Sequence, residues 1–185
     1  TTLAELSEQG WIPVSVLDPE RLIFYGGTQQ SKLFFAYDIR DREVLSQSEP
    51  GNGPYRYMMF SSSTGKVYFL SEDFDTLRRY DPSTKHITEL PTKIGIRAAT
   101  AETPQGYIYT VSTRGDSHIY RFDVNTERAE KVADATLNGP GYSTAGYITT
   151  IDADQSGKYL YYCPGNAHGH SERGGSPIVQ FNTLT

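Results

Sequence analysis

The stretch from 57 to 90 decides the fold class, because four short apolar runs follow one another there and turn residues separate them. The runs are Tyr57-Met58-Met59-Phe60, Val67-Tyr68-Phe69-Leu70, a third that ends in Arg79-Tyr80-Asp81-Pro82, and Ile87-Thr88-Glu89-Leu90. Aromatic and β-branched residues fit the pleated surface of a sheet. Gly65 suits a tight hairpin before the second run, and Asp81-Pro82 suits a turn after the third. The stretch therefore predicts four consecutive antiparallel strands.

The same unit recurs along most of the chain. The third runs end in Asp38, Asp81 and Asp123, which are 43 and 42 residues apart, and Asn182 occupies the matching place 59 residues later. An Asp or Asn in this position accepts a hydrogen bond from the backbone two residues on and reverses the chain. We interpret these four side chains as turn formers rather than catalytic groups.

Composition excludes several classes of protein. The 185-residue chain carries a formal net charge of -5, whereas a general nucleic-acid binder needs a basic surface. Cys163 is the single cysteine, so an internal disulfide and a Cys-rich zinc site are both excluded, and we interpret it as a buried inert thiol. No apolar run approaches the roughly 18 residues of a membrane-spanning helix.

Four strands every 40 to 45 residues are typical of a β-propeller blade, although the Trp-Asp and Gly-His signals of WD40 repeats are missing. The units resemble those of bacterial six- to eight-bladed propellers of the NHL, SMP-30-like, quinoprotein-like and oligouronide-lyase families. The stretches 161–165 and 177–181 also resemble an unassigned group of bacterial propellers. The resemblance implies an all-β fold with blades of four antiparallel strands, and it suggests a secreted or periplasmic protein. It carries no active site over to this chain.

We expect about three and a half to four blades in one domain, at roughly 11–45, 55–90, 96–132 and 146–185. Residues 2 to 10 are expected to form a short helix, and the fourth unit has no fourth strand. A partial ring that needs another chain or a missing segment to close is therefore the first expectation. A complete four-bladed ring is the alternative.

Ligands of propellers usually bind at the loops, so we searched the blade linkers and the loops between second and third strands. Arg56 and Arg97 each lie one residue before a predicted innermost strand, and their guanidinium groups could grip a carboxylate. Pairing of each arginine with an acidic neighbour is the alternative interpretation. Tyr55 and Tyr142 follow similar Gly- and Pro-containing turns, and Arg114 lies in the 112–117 loop.

The insertion 164–176 contains His168 and His170, two of the four histidines in the chain. This pair could chelate a divalent metal together with Glu172, or one histidine could act as a general base near neutral pH. The alternative is a solvated glycine-rich loop. His86 and His118 fall in or beside strands, and we interpret both as structural.

Two functions follow, and the sequence does not decide whether the protein is an enzyme. The first is a propeller that binds a ligand or a protein, or serves as a scaffold, without chemistry of its own. The second, by analogy with propeller lyases, is an eliminase acting on an acidic saccharide. In that hypothesis Arg56 and Arg97 neutralise the uronate, and His168 or His170 acts with Tyr142 as base and acid.

Overall fold

The structure is a computed structural model that describes residues 11–54, 56–71, 74, 76–112, 118–135, 147–165 and 178–184. Strands, turns and irregular connections make up this part, and no helix occurs in it. Accordingly, none of these residues lies in a helix long and apolar enough to cross a membrane. The expected helix at 2–10 lies outside the described residues. The all-β fold class is confirmed.

The chain divides into two compact units, and unit 1 spans 1–91. Unit 1 holds two antiparallel four-stranded sheets, which we call blades 1 and 2, and each sheet keeps the order of its strands along the chain. Blade 1 contains β1 (Val14–Asp18), β2 (Ile23–Gly27), β3 (Phe34–Asp38) and β4 (Glu43–Gln47). Blade 2 contains β5 (Met58–Phe60), β6 (Val67–Leu70), β7 (Leu77–Asp81) and β8 (His86–Leu90).

Unit 2 spans 92–185 and holds two sheets with three strands each in the described ranges, which we call blades 3 and 4. Blade 3 contains β9 (Tyr107–Val111), β10 (His118–Asp123) and β11 (Arg128–Asp134). Blade 4 contains β12 (Tyr147–Ala153), β13 (Tyr159–Gly165) and β14 (Val179–Asn182).

The innermost strand predicted to begin one residue after Arg97 is wrong in extent. Ala99 makes a single antiparallel bridge to Thr110, and only the hydrogen bonds around it continue the pairing, such as Arg97 N–H to the Val111 carbonyl at 2.9 Å. Small alanine side chains give little cross-strand packing, so this segment follows β9 without forming a full ladder.

Each unit has its own core between its two blades. In unit 1, blades 1 and 2 pack through an aromatic cluster in which the rings of Phe34 and Phe69 stack at 5.1 Å and that of Tyr80 lies 4.8 Å from Phe34. Stacked and tilted rings at these separations add to the energy of apolar burial. In unit 2 the core is more aliphatic, with Ile119, Ile148 and Leu160 fully buried.

The predicted Asp and Asn turns are confirmed. The Oδ1 atom of Asp38 accepts from the Arg40 N–H at 2.8 Å, and Asp81, Asp123 and Asn182 accept from the backbone two residues on at 2.9, 2.8 and 3.0 Å. The predicted glycine hairpins are also confirmed, because Gly65, Gly106 and Gly157 all have φ between 73° and 79°. Only glycine adopts that conformation without a steric cost.

These turns define two edges on every blade. At the turn edge lie the hairpins that join first to second strands and, where a fourth strand is described, third to fourth strands. At the loop edge the second strand leads into the third, and the chain enters and leaves the blade. The loop edge is where the scaffold leaves side chains available for a ligand.

Candidate functional site

Of the predicted ligand-binding residues, Arg56 and Arg97 lie in the described part of the chain. Arg56 is exposed at the loop edge, just before β5 in unit 1. Arg97 is half-buried at the loop edge of blade 3 in unit 2, where its backbone pairs with Val111. Because the two arginines belong to different units, a joint clamp on one carboxylate stays a prediction.

The other predicted site residues lie outside the described residues. These are Tyr55, Arg114 and Tyr142 together with His168 and His170. The catalytic, metal-binding and acid–base assignments made for them therefore stay predictions. In the ranges that the structure describes, no group of three His, Cys, Asp or Glu side chains is arranged to hold a metal ion.

The structure instead brings together a polar groove that sequence reasoning missed. It lies in unit 1 between the outermost strands of its two blades, β4 and β8, and has a volume of about 400 Å³. Its residues come from the end of β4, from the linker to blade 2 and from β7 and β8: Ser46, Gln47, Ser48, Glu49, Asn52, Arg78, Lys85, His86, Ile87 and Glu89. We call this feature the interblade groove.

One wall of the interblade groove is held rigidly. The linker that carries Glu49 and Asn52 is tied to the β2–β3 loop by hydrogen bonds from the Gly51 N–H to the Ser31 carbonyl, 2.8 Å, and from the Gly53 N–H to the Lys32 carbonyl, 2.6 Å. A Cβ atom at Gly53 would lie 2.2 Å from the backbone of Leu33, so only glycine permits this approach. The wall is thus formed before any ligand arrives, which lowers the entropic cost of binding.

The opposite wall carries the charges. Arg78 Nη2 donates to Glu89 Oε1 at 3.2 Å, and the arginine side chain is only 14% exposed. Arg78 Nη1 is buried and has no hydrogen-bond partner among the residues that the structure describes. Lys85 and His86 lie at the far end, where the Ser46 hydroxyl donates to the Lys85 carbonyl at 3.3 Å and joins the two blades.

The lining combines two kinds of group that bind polar ligands. Arg78 and Lys85 are cations, and His86 adds a third nitrogen-containing side chain. Asn52, Gln47 and the serine hydroxyls both donate and accept, while Glu49 and Glu89 accept. Ile87 is the sole apolar residue among the described residues that line the groove.

Comparison with known proteins identifies the fold and leaves the family open. No family model matches the chain, and no curated protein matches it. Among solved structures, hydrazine synthase from Kuenenia stuttgartiensis superimposes with a TM-score of 0.68 at 12% identity, over 97% of this chain and 49% of that one. The β-propeller domain of Cps50 (Swd1) from Myceliophteria thermophila superimposes with a TM-score of 0.61 at 14% identity, over 92% and 53%.

The sheets and these likenesses define the class: the chain has a β-propeller fold. The likenesses show the fold alone, because an identity this low carries no function. The chain spans about half the length of the solved structures that it matches.

Proposed function

We propose that the chain is a β-propeller binding module and that its interblade groove binds an acidic saccharide. The observation that carries the proposal is the convergence of Arg78 and Lys85 with amide and hydroxyl groups in one groove. An arginine and a lysine bind a carboxylate or sulfate group through charge-assisted hydrogen bonds. Asn52, Gln47 and Glu49 offer the donors and acceptors that sugar hydroxyls need.

The lining favours a saccharide over a protein partner. Protein interfaces place aromatic or aliphatic anchors at their centre and keep charge at the rim. The interblade groove reverses that arrangement, with Arg78 in its wall and Ile87 as the one apolar side chain of its described lining. A volume of about 400 Å³ holds one or two sugar rings rather than a folded surface.

Calorimetric titration with oligogalacturonate tests the proposal. We expect Arg78→Gln to weaken binding about tenfold, which corresponds to one lost charge-assisted hydrogen bond, and Lys85→Gln to weaken it about threefold. Arg40→Gln is the matched control, since Arg40 is an exposed cation in a turn of the same unit and does not line the groove. The proposal fails if the wild-type chain gives no binding isotherm, or if the control loses as much affinity as Arg78→Gln.

The eliminase hypothesis stays a prediction, because its base and acid lie outside the described residues. Its test is the absorbance of an unsaturated product when oligogalacturonate is supplied. Loss of that product in Arg56→Gln and Arg97→Gln, with binding in the groove retained, would support it and would separate it from the binding function.

We also propose that a further polypeptide segment pairs with blade 4. In blades 1 and 2 the third strand pairs on both sides, whereas β14 pairs with β13 alone among the described strands. Val179 and Phe181 of β14 pack on the unit 2 core but stay half-buried. Light scattering over roughly 1–200 µM protein should show association, and a monomer throughout would contradict it.

A further inference from the structure

Three side chains of different charge meet at the loop edge of blade 3. The Nδ1 atom of His118 lies 2.6 Å from Asp134 Oδ1, and Lys131 Nζ lies 2.8 Å from the same oxygen. Lys131 Nζ also lies 3.5 Å from His118 Nε2. We call this group the His–Lys–Asp cluster.

A β-bulge creates the cluster. His118 pairs with Asp134 and Tyr120 pairs with Lys131, so Val132 is the extra residue opposite the step between Ile119 and Tyr120. In a regular strand, residues three apart point to opposite faces, and the extra residue brings Lys131 and Asp134 to the same face. Bulges often re-aim side chains in this way at functional positions.

The neighbouring charges determine which ring nitrogen of His118 donates a hydrogen bond. Asp134 accepts from both neighbours, and these hydrogen bonds, first from Lys131 and then from His118, hold the pKa of its carboxyl below the ordinary value. With Nδ1–H donating to Asp134, the Nε2 lone pair faces the lysine ammonium. The Lys131 side chain is 42% exposed and that of His118 is 28% exposed.

Several groups in the described part of unit 2 contact His118. Asp134 and Lys131 face it from β11, and Tyr120 of its own strand contacts it edge-on at 6.2 Å between ring centres. From the end of β9 the Ser112 N–H donates to the His118 carbonyl at 2.9 Å. Asp134 thus contacts two basic side chains, His118 and Lys131.

We propose that the His–Lys–Asp cluster binds an oxyanion between His118 Nε2 and Lys131 Nζ, and that His118 takes up one proton when the anion binds. An anion oxygen cannot accept from a nitrogen that presents a lone pair. Nε2 must therefore be protonated, and Asp134 then stabilises the imidazolium from the Nδ1 side, as a carboxylate does wherever it orients a histidine. The bound anion replaces the lysine as the partner of Nε2.

The oxyanion is a sulfate, phosphate or carboxylate, and these share the chemistry that the two nitrogen atoms recognise. The site lies in unit 2, whereas the interblade groove lies in unit 1, so the inference does not depend on the proposed function. A free inorganic anion and the acid group of a saccharide are two sources of the same chemistry, and the test separates them.

The test is calorimetry with sodium sulfate at about pH 7.5, repeated in buffers of different ionisation enthalpy. Sulfate does not titrate near neutral pH, so any proton exchanged belongs to the protein. We expect the wild-type chain to take up about one proton per sulfate, and its affinity to rise up to about tenfold for each pH unit lowered in that range. Uptake of no proton, or an affinity that does not change with pH, overturns the inference.

Variants assign the effect to the cluster. We expect His118→Gln, which keeps a donor but cannot gain a proton, to bind sulfate more weakly and with no proton uptake. Lys131→Met should abolish detectable binding, while Lys158→Met, which removes an exposed lysine elsewhere in unit 2, should leave it unchanged. An equal loss of sulfate affinity in both lysine variants would mean that sulfate binding depends on net charge alone. That result would overturn the proposed site.

Galacturonate in place of sulfate identifies the source of the anion. Tighter binding of galacturonate in the wild-type chain, lost in Lys131→Met and kept in Arg78→Gln, assigns the cluster to a saccharide acid group. Tighter binding of sulfate or phosphate with the same variant pattern assigns it to a free inorganic anion. Melting curves of every variant show that the blade is still folded.

Discussion

Asp18 and Arg21 form an ion pair across the β1–β2 turn, with Arg21 Nη1 2.9 Å from Asp18 Oδ2, and the aspartate side chain is only 1% exposed. The other carboxylate oxygen accepts from the backbone N–H groups of Glu20 and Arg21 at 3.1 and 3.0 Å. One buried carboxylate therefore closes this turn through three hydrogen bonds. Asp38 makes the same backbone contacts in an exposed turn of the same blade.

We expect Asp18→Ala to lower the free energy of unfolding by about 2–3 kcal/mol, because hydrogen bonds to a charged group are lost and two backbone donors are left half-buried. Asp38→Ala should cost only about 0.5–1 kcal/mol, since water replaces the lost partner there. Urea denaturation of the two variants checks this. Equal losses would mean that burial does not set the strength of these turns.

The buried tyrosines of unit 1 offer a matched pair. The Tyr25 hydroxyl donates to the Gly65 carbonyl at 3.3 Å, whereas the buried Tyr80 hydroxyl has no hydrogen-bond partner in the described part of the chain. A buried polar group without a partner costs free energy. Tyr80→Phe should therefore raise the free energy of unfolding by up to about 1 kcal/mol, and Tyr25→Phe should lower it by about 1 kcal/mol. Chemical denaturation of both variants measures these changes. A lower free energy of unfolding in Tyr80→Phe would contradict the prediction.

Tyr80 also makes the free energy of unfolding depend on pH in alkaline solution. Burial, with a smaller contribution from Asp81, raises the pKa of Tyr80 to about 12 from an ordinary value near 10. The unfolded chain thus loses this proton first, and the free energy of unfolding falls as the pH rises from about 10 to about 12. We expect Tyr80→Phe to show a shallower fall over that range. Identical alkaline profiles for the two proteins would refute the assignment.

In acid, Asp81 makes the free energy of unfolding fall as the pH is lowered. Hydrogen bonds from Ser83, first from its hydroxyl and then from its backbone, lower the pKa of the Asp81 carboxyl below its ordinary value. The resulting stabilisation is present above the unfolded-state pKa, near 4, and is lost as the pH falls through the folded-state value. Ser83→Ala should reduce this acid dependence, which denaturation at several pH values below 5 measures. An unchanged slope would show that the hydroxyl does not matter.

In the described part of the chain six residues other than glycine adopt the left-handed conformation, and Arg42 is an exposed example with φ 59°. This conformation costs about 1–2 kcal/mol in an L-residue, partly offset by the entropy that glycine loses on folding. Arg42→Gly should therefore raise the free energy of unfolding by about 0.5–1 kcal/mol. The reverse change, Gly106→Ala at φ 79°, should lower it, because the new Cβ would lie 2.9 Å from the Asn125 side-chain nitrogen. Thermal melts measure both changes. Melting temperatures that shift in the same direction in the two variants would contradict the prediction.

Local chemistry explains what could be predicted from sequence. Asp81 with Pro82, or a glycine before a Tyr-rich run, specifies a turn within a few residues, and these turns set the strand boundaries. The interblade groove could not be predicted, because Asn52 and Lys85 are far apart in sequence and meet only through the packing of two blades. The His–Lys–Asp cluster could not be predicted from sequence for another reason. In a regular strand, side chains alternate between the two faces, so Lys131 and Asp134 are expected on opposite faces. The two residues between them carry no sequence signal that predicts the bulge.

The turn edge uses one five-residue joint repeatedly, an aspartate followed four positions later by a left-handed residue, at 18–22, 38–42, 81–85 and 123–127. Blade 1 has this joint at both of its hairpins. The smallest exchangeable part of the molecule is therefore a pair of strands and not a whole blade. Genetic duplication or loss of one such pair would keep the direction of every following strand.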